Sequence, residues 1–305
     1  MIKREFLPEE TRMMFNIAEH GMEVVMPATV DWEQLLPAFK DFRCDASAGE
    51  DVICSIRIVE DRIDGKPESM TVLKEESGIL GHWFCLMESK QHYVIDIQFV
   101  EHGNIYRMIT GKSFESATAY VDCKDENASV ILSMFLMIAF GQSAVLHDTV
   151  LIHASAVEND GNGYLFLGKS GTGKSTHSSL WMRYVEGTEL LNDDNPAIRI
   201  TKDGIAYVYG TPWSGKTPCY RNRRATLKAL VRLEQAPANR FRWKTGVEAL
   251  ITLLPGCLSM RWNELLYNRM CSLLEKVIDK VKVGWLECLP DQEAALVCYK
   301  QVKEL

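Results

Sequence analysis

The sequence predicts an α/β (α+β) protein in two parts, an α+β region over residues 1–127 and an α/β domain over residues 128–305. Three observations predict it. Stretches in the first part alternate between apolar and polar residues, as half-buried strands do. A helix-length apolar run, Ile131 to Leu146, marks a change of texture. Beyond it, the apolar run Tyr164-Leu165-Phe166-Leu167 enters a glycine-rich loop and leaves it as a helix.

Length and composition bound the reading. A chain of 305 residues suits about two domains. Its 47% hydrophobic and 25% charged residues are ordinary for a globular protein. A net charge of −7 argues against nucleic-acid binding through broad electrostatics. Nine cysteines are scattered, with no C-x-x-C pair and no zinc spacing, so reduced thiols in a cytoplasmic protein are expected. No basic segment followed by an apolar one opens the chain. Ile131 to Leu146 is interrupted by Ser133, Gly141, Gln142 and Ser143, so it reads as too short and too mixed to span a bilayer. A buried helix and no membrane partner are expected.

In chain order, Val52 to Ile58 and Tyr93 to Phe99 read as strands, with a turn at Asp64-Gly65-Lys66-Pro67 between them. His20, His82, His92 and His102 are spread out and form no cluster. Gly111-Lys112-Ser113 lacks a loop glycine at Tyr106 and reads as an ordinary loop. Val150 to Val157, a turn at Asn159 to Gly163 and the apolar run from Tyr164 read as two strands joined by a short turn. Leu190-Leu191, a mixed segment around Ile198 to Val208, and Ala229 to Leu233 supply further strands. A helical region from about Leu258 to Lys280, a strand at Trp285 to Leu289 and a helix capped by Asp291 close the chain.

The chemistry concentrates at Gly168-Lys169-Ser170-Gly171-Thr172-Gly173-Lys174-Ser175-Thr176, which fits G-x-x-x-x-G-K-[ST]. Glycines let successive N–H groups curl around a phosphate, and the helix start adds unpaired N–H groups. Lys174 can reach the outer phosphates, and the Ser175 hydroxyl can ligate Mg²⁺. A glycine-rich surface turn is the plain alternative, and the strand before and helix after speak against it.

Three features share this neighbourhood. Asn192-Asp193-Asp194 ends a strand in two carboxylates, of which one can hold Mg²⁺ and the other activate a hydroxyl. Adjacent strand residues face opposite ways, so which aspartate does which stays open; Asp194 is paired with Ser175 as a candidate metal ligand. His153 stands fifteen residues before Gly168, near the phosphates if its strand lies beside the loop strand. Tyr209-Gly210-Thr211-Pro212-Trp213-Ser214-Gly215-Lys216 runs into Arg221, Arg223 and Arg224. Lys216 and Arg221 are the preferred phosphate- or substrate-facing cations, against the alternative of a solvated basic turn.

The loop with Asp193-Asp194 resembles the paired kinase motifs of ATP-dependent PEP carboxykinases. With His153 and its spacing, the set resembles the catalytic domain of HPr kinase/phosphorylase. The Tyr-Gly-Thr-Pro-Trp-Ser-Gly loop is similar to that of HPr-kinase-like proteins. The resemblance covers roughly 145 to 305. It implies a PEP carboxykinase-like mixed sheet around the loop, a role for His153 near the phosphates, and an aspartate of the pair accepting a serine proton. The glycine-rich signature that follows the Asp pair in HPr kinases has no counterpart here, and no arrangement for oxaloacetate is visible.

The expectation is an ATP- and Mg²⁺-dependent phosphotransferase, with nucleotide and a hydroxyl acceptor (a protein or peptide serine, or a small molecule) as partners. Carboxykinase chemistry on oxaloacetate and a non-catalytic nucleotide-binding regulator are the alternatives.

Overall fold

A computed structural model describes residues 9–45, 51–61, 70–77, 82–100, 103–215 and 217–305. The expected turn at 64–67, His102 and Lys216 lie outside the described residues. The chain divides into two compact units, Met1–Ser143 and Ala144–Leu305.

Among the described residues the first unit is built on a nine-stranded sheet. Its strands are β1 (Glu10–Ile17), β2 (His20–Pro27), β3 (Arg43–Cys44), β4 (Val52–Val59), β5 (Thr71–Ser77), β6 (Trp83–Glu88), β7 (His92–Gln98), β8 (Ile105–Gly111) and β9 (Ser116–Tyr120). They lie in the order β3-β1-β2-β4-β9-β8-β7-β6-β5, parallel only where β4 meets β2 and β9. Both strands expected here form, as β4 and β7. Lys112 sits in the turn after β8 and pairs with Glu88 at 2.9 Å. That second Gly-Lys-Ser is an ordinary turn, as read. A short helix, α1 (Trp32–Leu35), is capped by Asp31.

The apolar helix α2 (Ala128–Ala144) belongs to this first unit, although its sequence suggested the opening of the second domain. Phe140 approaches the His20 ring at 6.5 Å, and Ser143 Oγ donates to the Ile53 carbonyl. With the 3₁₀ turn that follows, residues 128–147 form a 20-residue stretch long and apolar enough by composition to cross a membrane. That corrects the expectation that it is too short. It is also 61% buried inside the protein, and Ile131, Leu132, Phe135, Leu136 and Phe140 are wholly covered. It is a core helix.

The second unit holds β10 (Thr149–Leu151), β11 (Ala154–Asn159), β12 (Asn162–Leu167), α3 (Lys174–Tyr184), β13 (Thr188–Asp194), β14 (Ala197–Ile200), β15 (Ala206–Tyr209) and β16 (Arg224–Gln235). It continues with β17 (Arg240–Lys244), α4 (Gly246–Leu253), α5 (Glu264–Lys280), β18 (Lys282–Cys288) and α6 (Gln292–Val302). The sheet path is β10-β14-β15-β16-β12-β11-β13, with β18 beside β16 and β17 outside it. β12 runs parallel to β16, and β16 parallel to β18; the remaining pairs are antiparallel. The sheet is mixed, and the molecule is α+β.

Hydrophobic burial covers both faces of this sheet. One face packs Leu165, Leu167, Leu191 and Leu230 against Leu253 of α4 and Leu273, Leu274 and Val277 of α5. The other packs Phe166, Val231 and Leu233 against Trp181 of α3 and Ala295, Cys298 and Val302 of α6. Asp291 caps α6 as expected, accepting from Ala294 N at 2.9 Å. The segment 150–157 is not one strand. Ile152 N bonds Pro196 O and His153 N bonds Gly256 O, so β10 and β11 separate at this point. Helix α4 was not anticipated, and α5 begins only at Glu264, after its Asn263 cap.

Candidate active site

The β11–β12 hairpin turns tightly at Asp160 and Gly161, whose φ values of 50° and 75° suit a two-residue hairpin loop. Its register sets everything that follows. Ala154 of β11 lies opposite Leu167 of β12 on one side and Asp194 of β13 on the other. His153, Gly168 and the aspartate pair therefore converge at one end of three neighbouring strands, though far apart in sequence.

The loop leaves β12 at Gly168 and enters α3 at Lys174. Gly173, at the helix N-cap, has φ 103°, open to glycine and strained for other residues. No side chain caps α3, so its first N–H groups stay available to an anion. Thr172 Oγ1 donates back to Lys169 O at 2.7 Å, and Gln235 Nε2 donates to Gly171 O at 3.3 Å. Ser170, Ser175 and Thr176 are exposed at the rim.

Lys174 Nζ donates to His153 Nε2 at 2.9 Å and to Gly168 O at 3.1 Å. His153 Nδ1 meets Asp194 Oδ1 at 2.9 Å. An ammonium can only donate, so Nε2 accepts and the ring proton sits on Nδ1, directed at the carboxylate. Burial pulls the Lys174 pKa below its ordinary value, and the Asp194 and Asp193 carboxylates pull it part of the way back.

The two aspartates differ. Asp193 lies opposite Ser155, whose hydroxyl meets Ser178 of α3 at 2.6 Å, so Asp193 is on the α3 face. It is 5% exposed, and its Oδ2 is buried with no hydrogen-bond partner. Asp194 lies opposite Ala154 on the other face, and its side chain is 33% exposed. Its Oδ2 accepts from Asn195 Nδ2 at 2.7 Å. A register shift between Ala156 and Val157 marks a bulge just before this triplet.

The Tyr209–Gly215 segment lies along the edge of β13. Asn192, wholly buried, donates to Thr211 O, Thr211 Oγ1 and Trp213 O, each at 3.2 Å, while its Oδ1 accepts from the Asp194 and Asn195 amides. Gly215 N donates to Asp193 O at 2.8 Å, and a Cβ there would stand 2.7 Å from that oxygen. Asn192 thus pins the backbone that presents both carboxylates. The sequence carries a signal for it, an asparagine directly before the pair, able to close a local turn with its own amide.

Arg221 is not brought into this group. Its Nη1 sits 2.7 Å from Glu189 Oε2, and Arg223 bridges Glu189 and Glu158. Glu189 is four residues before Asp193, roughly 13 Å along the strand. The expectation that Arg221 faces the phosphates is corrected by this pairing at the opposite strand end.

Two clefts border the loop. One, of about 410 Å³, is lined by Thr176, Leu180, Leu233, Ala236, Leu289 and Pro290 and is largely apolar. The other, of about 390 Å³, lies among Lys169–Thr172, Arg232, Glu234 and Trp285. Arg232, which lines this second cleft, interrupts a run whose sequence reads as a buried strand. Among the described residues no group of three or more His, Cys, Asp or Glu side chains is arranged to hold a metal.

No family model matches this sequence, and neither does any curated protein. Among solved structures, the Hpr(Ser) kinase/phosphatase from Coxiella burnetii is similar over 50% of this chain and 88% of that one, at 14% identity and a TM-score of 0.31. A likeness that loose carries neither fold nor activity across.

Proposed function

We propose that this chain is an ATP- and Mg²⁺-dependent kinase, transferring the γ-phosphoryl group to a hydroxyl of a protein, peptide or small molecule. The observation that carries this reading is Asp193. Leaving a buried carboxylate oxygen without a partner is costly, and a cation would offset that cost. Asp193 and the exposed Ser175 hydroxyl are hard oxygen donors, the kind that hold Mg²⁺ together with phosphate oxygens. When bound, that ion supplies positive charge against the build-up on the transferring group. The face on which Asp193 stands favours it over Asp194 as the metal ligand, reversing the assignment drawn from sequence.

Loop amides from Gly168 to Ser175 hold the phosphates, and the apolar 410 Å³ cleft takes the base. Lys174 turns from His153 and Gly168 O to the phosphate oxygens. Asp194, the more exposed carboxylate, accepts the proton of the acceptor hydroxyl, and His153 holds it in position. Such chemistry is positioning plus electrostatics.

The test is label transfer from γ-labelled ATP into acceptors in a cell lysate, read by mass spectrometry. Lys174→Ala should cut transfer about 10³-fold with unchanged thermal stability. Near wild-type transfer by that variant would overturn the assignment.

A further inference from the structure

Three cations surround the Trp285 ring: Arg232 at 5.3 Å, Arg242 at 5.6 Å and Lys244 at 5.7 Å from its centroid. Two have carboxylate partners, Arg242 with Glu287 at 3.2 Å and Lys244 with Glu248 at 3.0 Å. Arg232 has none among the described residues. Its half-buried guanidinium is aimed by the ring and by one bond, Nη1 to Thr252 O at 3.2 Å, which leaves most of its donors unused. Parallel pairing sets Arg232 opposite Leu167, one residue before the loop begins. Lys169, across the same 390 Å³ cleft, also has no side-chain partner among the described residues. Glu234 lines the cleft too, with Oε2 accepting from Trp285 Nε1 at 2.9 Å.

An oriented guanidinium without a counter-ion is built for a planar or tetrahedral oxyanion, which it binds through paired N–H donors. A triphosphate held by the loop amides, the α3 start and Lys174 has its charges met elsewhere. The apolar cleft suits a base, and Gln235, which lines both clefts, lies between that function and this one.

We propose that the cleft between Arg232 and Lys169 binds an anionic group, a carboxylate or phosphate, carried by the phosphoryl acceptor. The proposal rests on the kinase reading and narrows its substrate class to acceptors bearing a negative charge besides the hydroxyl.

The experiment is calorimetric titration of inorganic phosphate into the full chain saturated with Mg²⁺ and a non-hydrolysable ATP analogue, which keeps the probe out of the loop. Wild type should bind phosphate, Arg232→Met should bind it about tenfold or more weakly, and Arg232→Lys should fall between. Analogue affinity and melting temperature should match in all three. Three results overturn the proposal: phosphate that fails to bind wild type, phosphate that binds Arg232→Met equally well, and loss of analogue affinity in Arg232→Met, which would make the arginine a nucleotide ligand. If wild type fails to bind the analogue itself, the kinase reading falls and this one with it. Failure of the phosphate titration alone leaves the kinase reading standing.

Discussion

The two ends of the β11–β13 pair make opposite use of acidic residues. At one end Glu158 and Glu189 face each other and are met by Arg221 and Arg223 at 2.7 to 3.0 Å, at the surface. At the other end Asp194 is met by His153 and Asn195, Asp193 lies in the field of the Lys174 ammonium, and one buried Asp193 oxygen accepts no hydrogen bond. The first arrangement is complete as it stands and adds little, because solvent screens exposed pairs. The second leaves a buried carboxylate oxygen without a hydrogen bond, which is costly. The strands and their pairing are alike; what differs is whether every carboxylate oxygen finds a hydrogen-bond partner.

The largest effect expected from breaking this contrast is at Asp193. Asp193→Asn should lower phosphoryl transfer about 10³-fold while the melting temperature stays level or rises, since a buried carboxylate with an oxygen that accepts no hydrogen bond gives way to a neutral amide. Turnover assays and thermal unfolding on one preparation check both halves. A fall in stability without loss of transfer would make Asp193 structural.

Next in size is the segment that presents the pair. Gly215→Ala sets a Cβ against the Asp193 carbonyl at 2.7 Å and should cost about 1–3 kcal/mol, read by denaturant unfolding. An unshifted midpoint would show that the Tyr209–Gly215 loop moves freely from β13.

His177 sharpens the comparison from beneath the loop. It is 3% exposed, it accepts from Trp181 Nε1 at 3.1 Å, and burial pushes its pKa from 6.5 down to about 3. As pH falls, the unfolded chain therefore takes up this proton first. The His177 contribution is intact above about pH 6.5 and is lost progressively toward pH 3, by up to roughly 1.4 kcal/mol per pH unit. His177→Phe should flatten the dependence of melting temperature on pH between 7 and 4; an equally steep profile would assign the acid sensitivity elsewhere.

The smallest effect belongs to the complete end. Arg221→Ala should leave nucleotide affinity unchanged and barely move the melting temperature, as measured by calorimetry and thermal unfolding. A marked loss of affinity would return Arg221 to the site.

The reach of sequence reasoning follows sequence distance. The loop is legible because its glycines, lysine and serine are contiguous and each is demanded by local geometry. The Asp193-Asp194 pair is legible for the same reason. Arg221 misled because a basic cluster beside a glycine-rich segment has the composition of a phosphate site, while its actual partner, Glu189, lies thirty-two residues away. Arg232 was hidden because only the parallel pairing of β16 with β12 brings it beside the loop.

By itself the chain determined where backbone can bend around an anion, where carboxylates cluster and which runs are buried. Those properties arise from φ preferences, charge and apolar periodicity over a few residues. Tertiary structure alone decided which aspartate faces α3, that His153 stands between Lys174 and Asp194, and that Arg232 borders the loop with no carboxylate partner among the described residues. The reason is physical: side-chain facing flips with each single-residue step of strand register, and register is settled by pairing across the whole sheet.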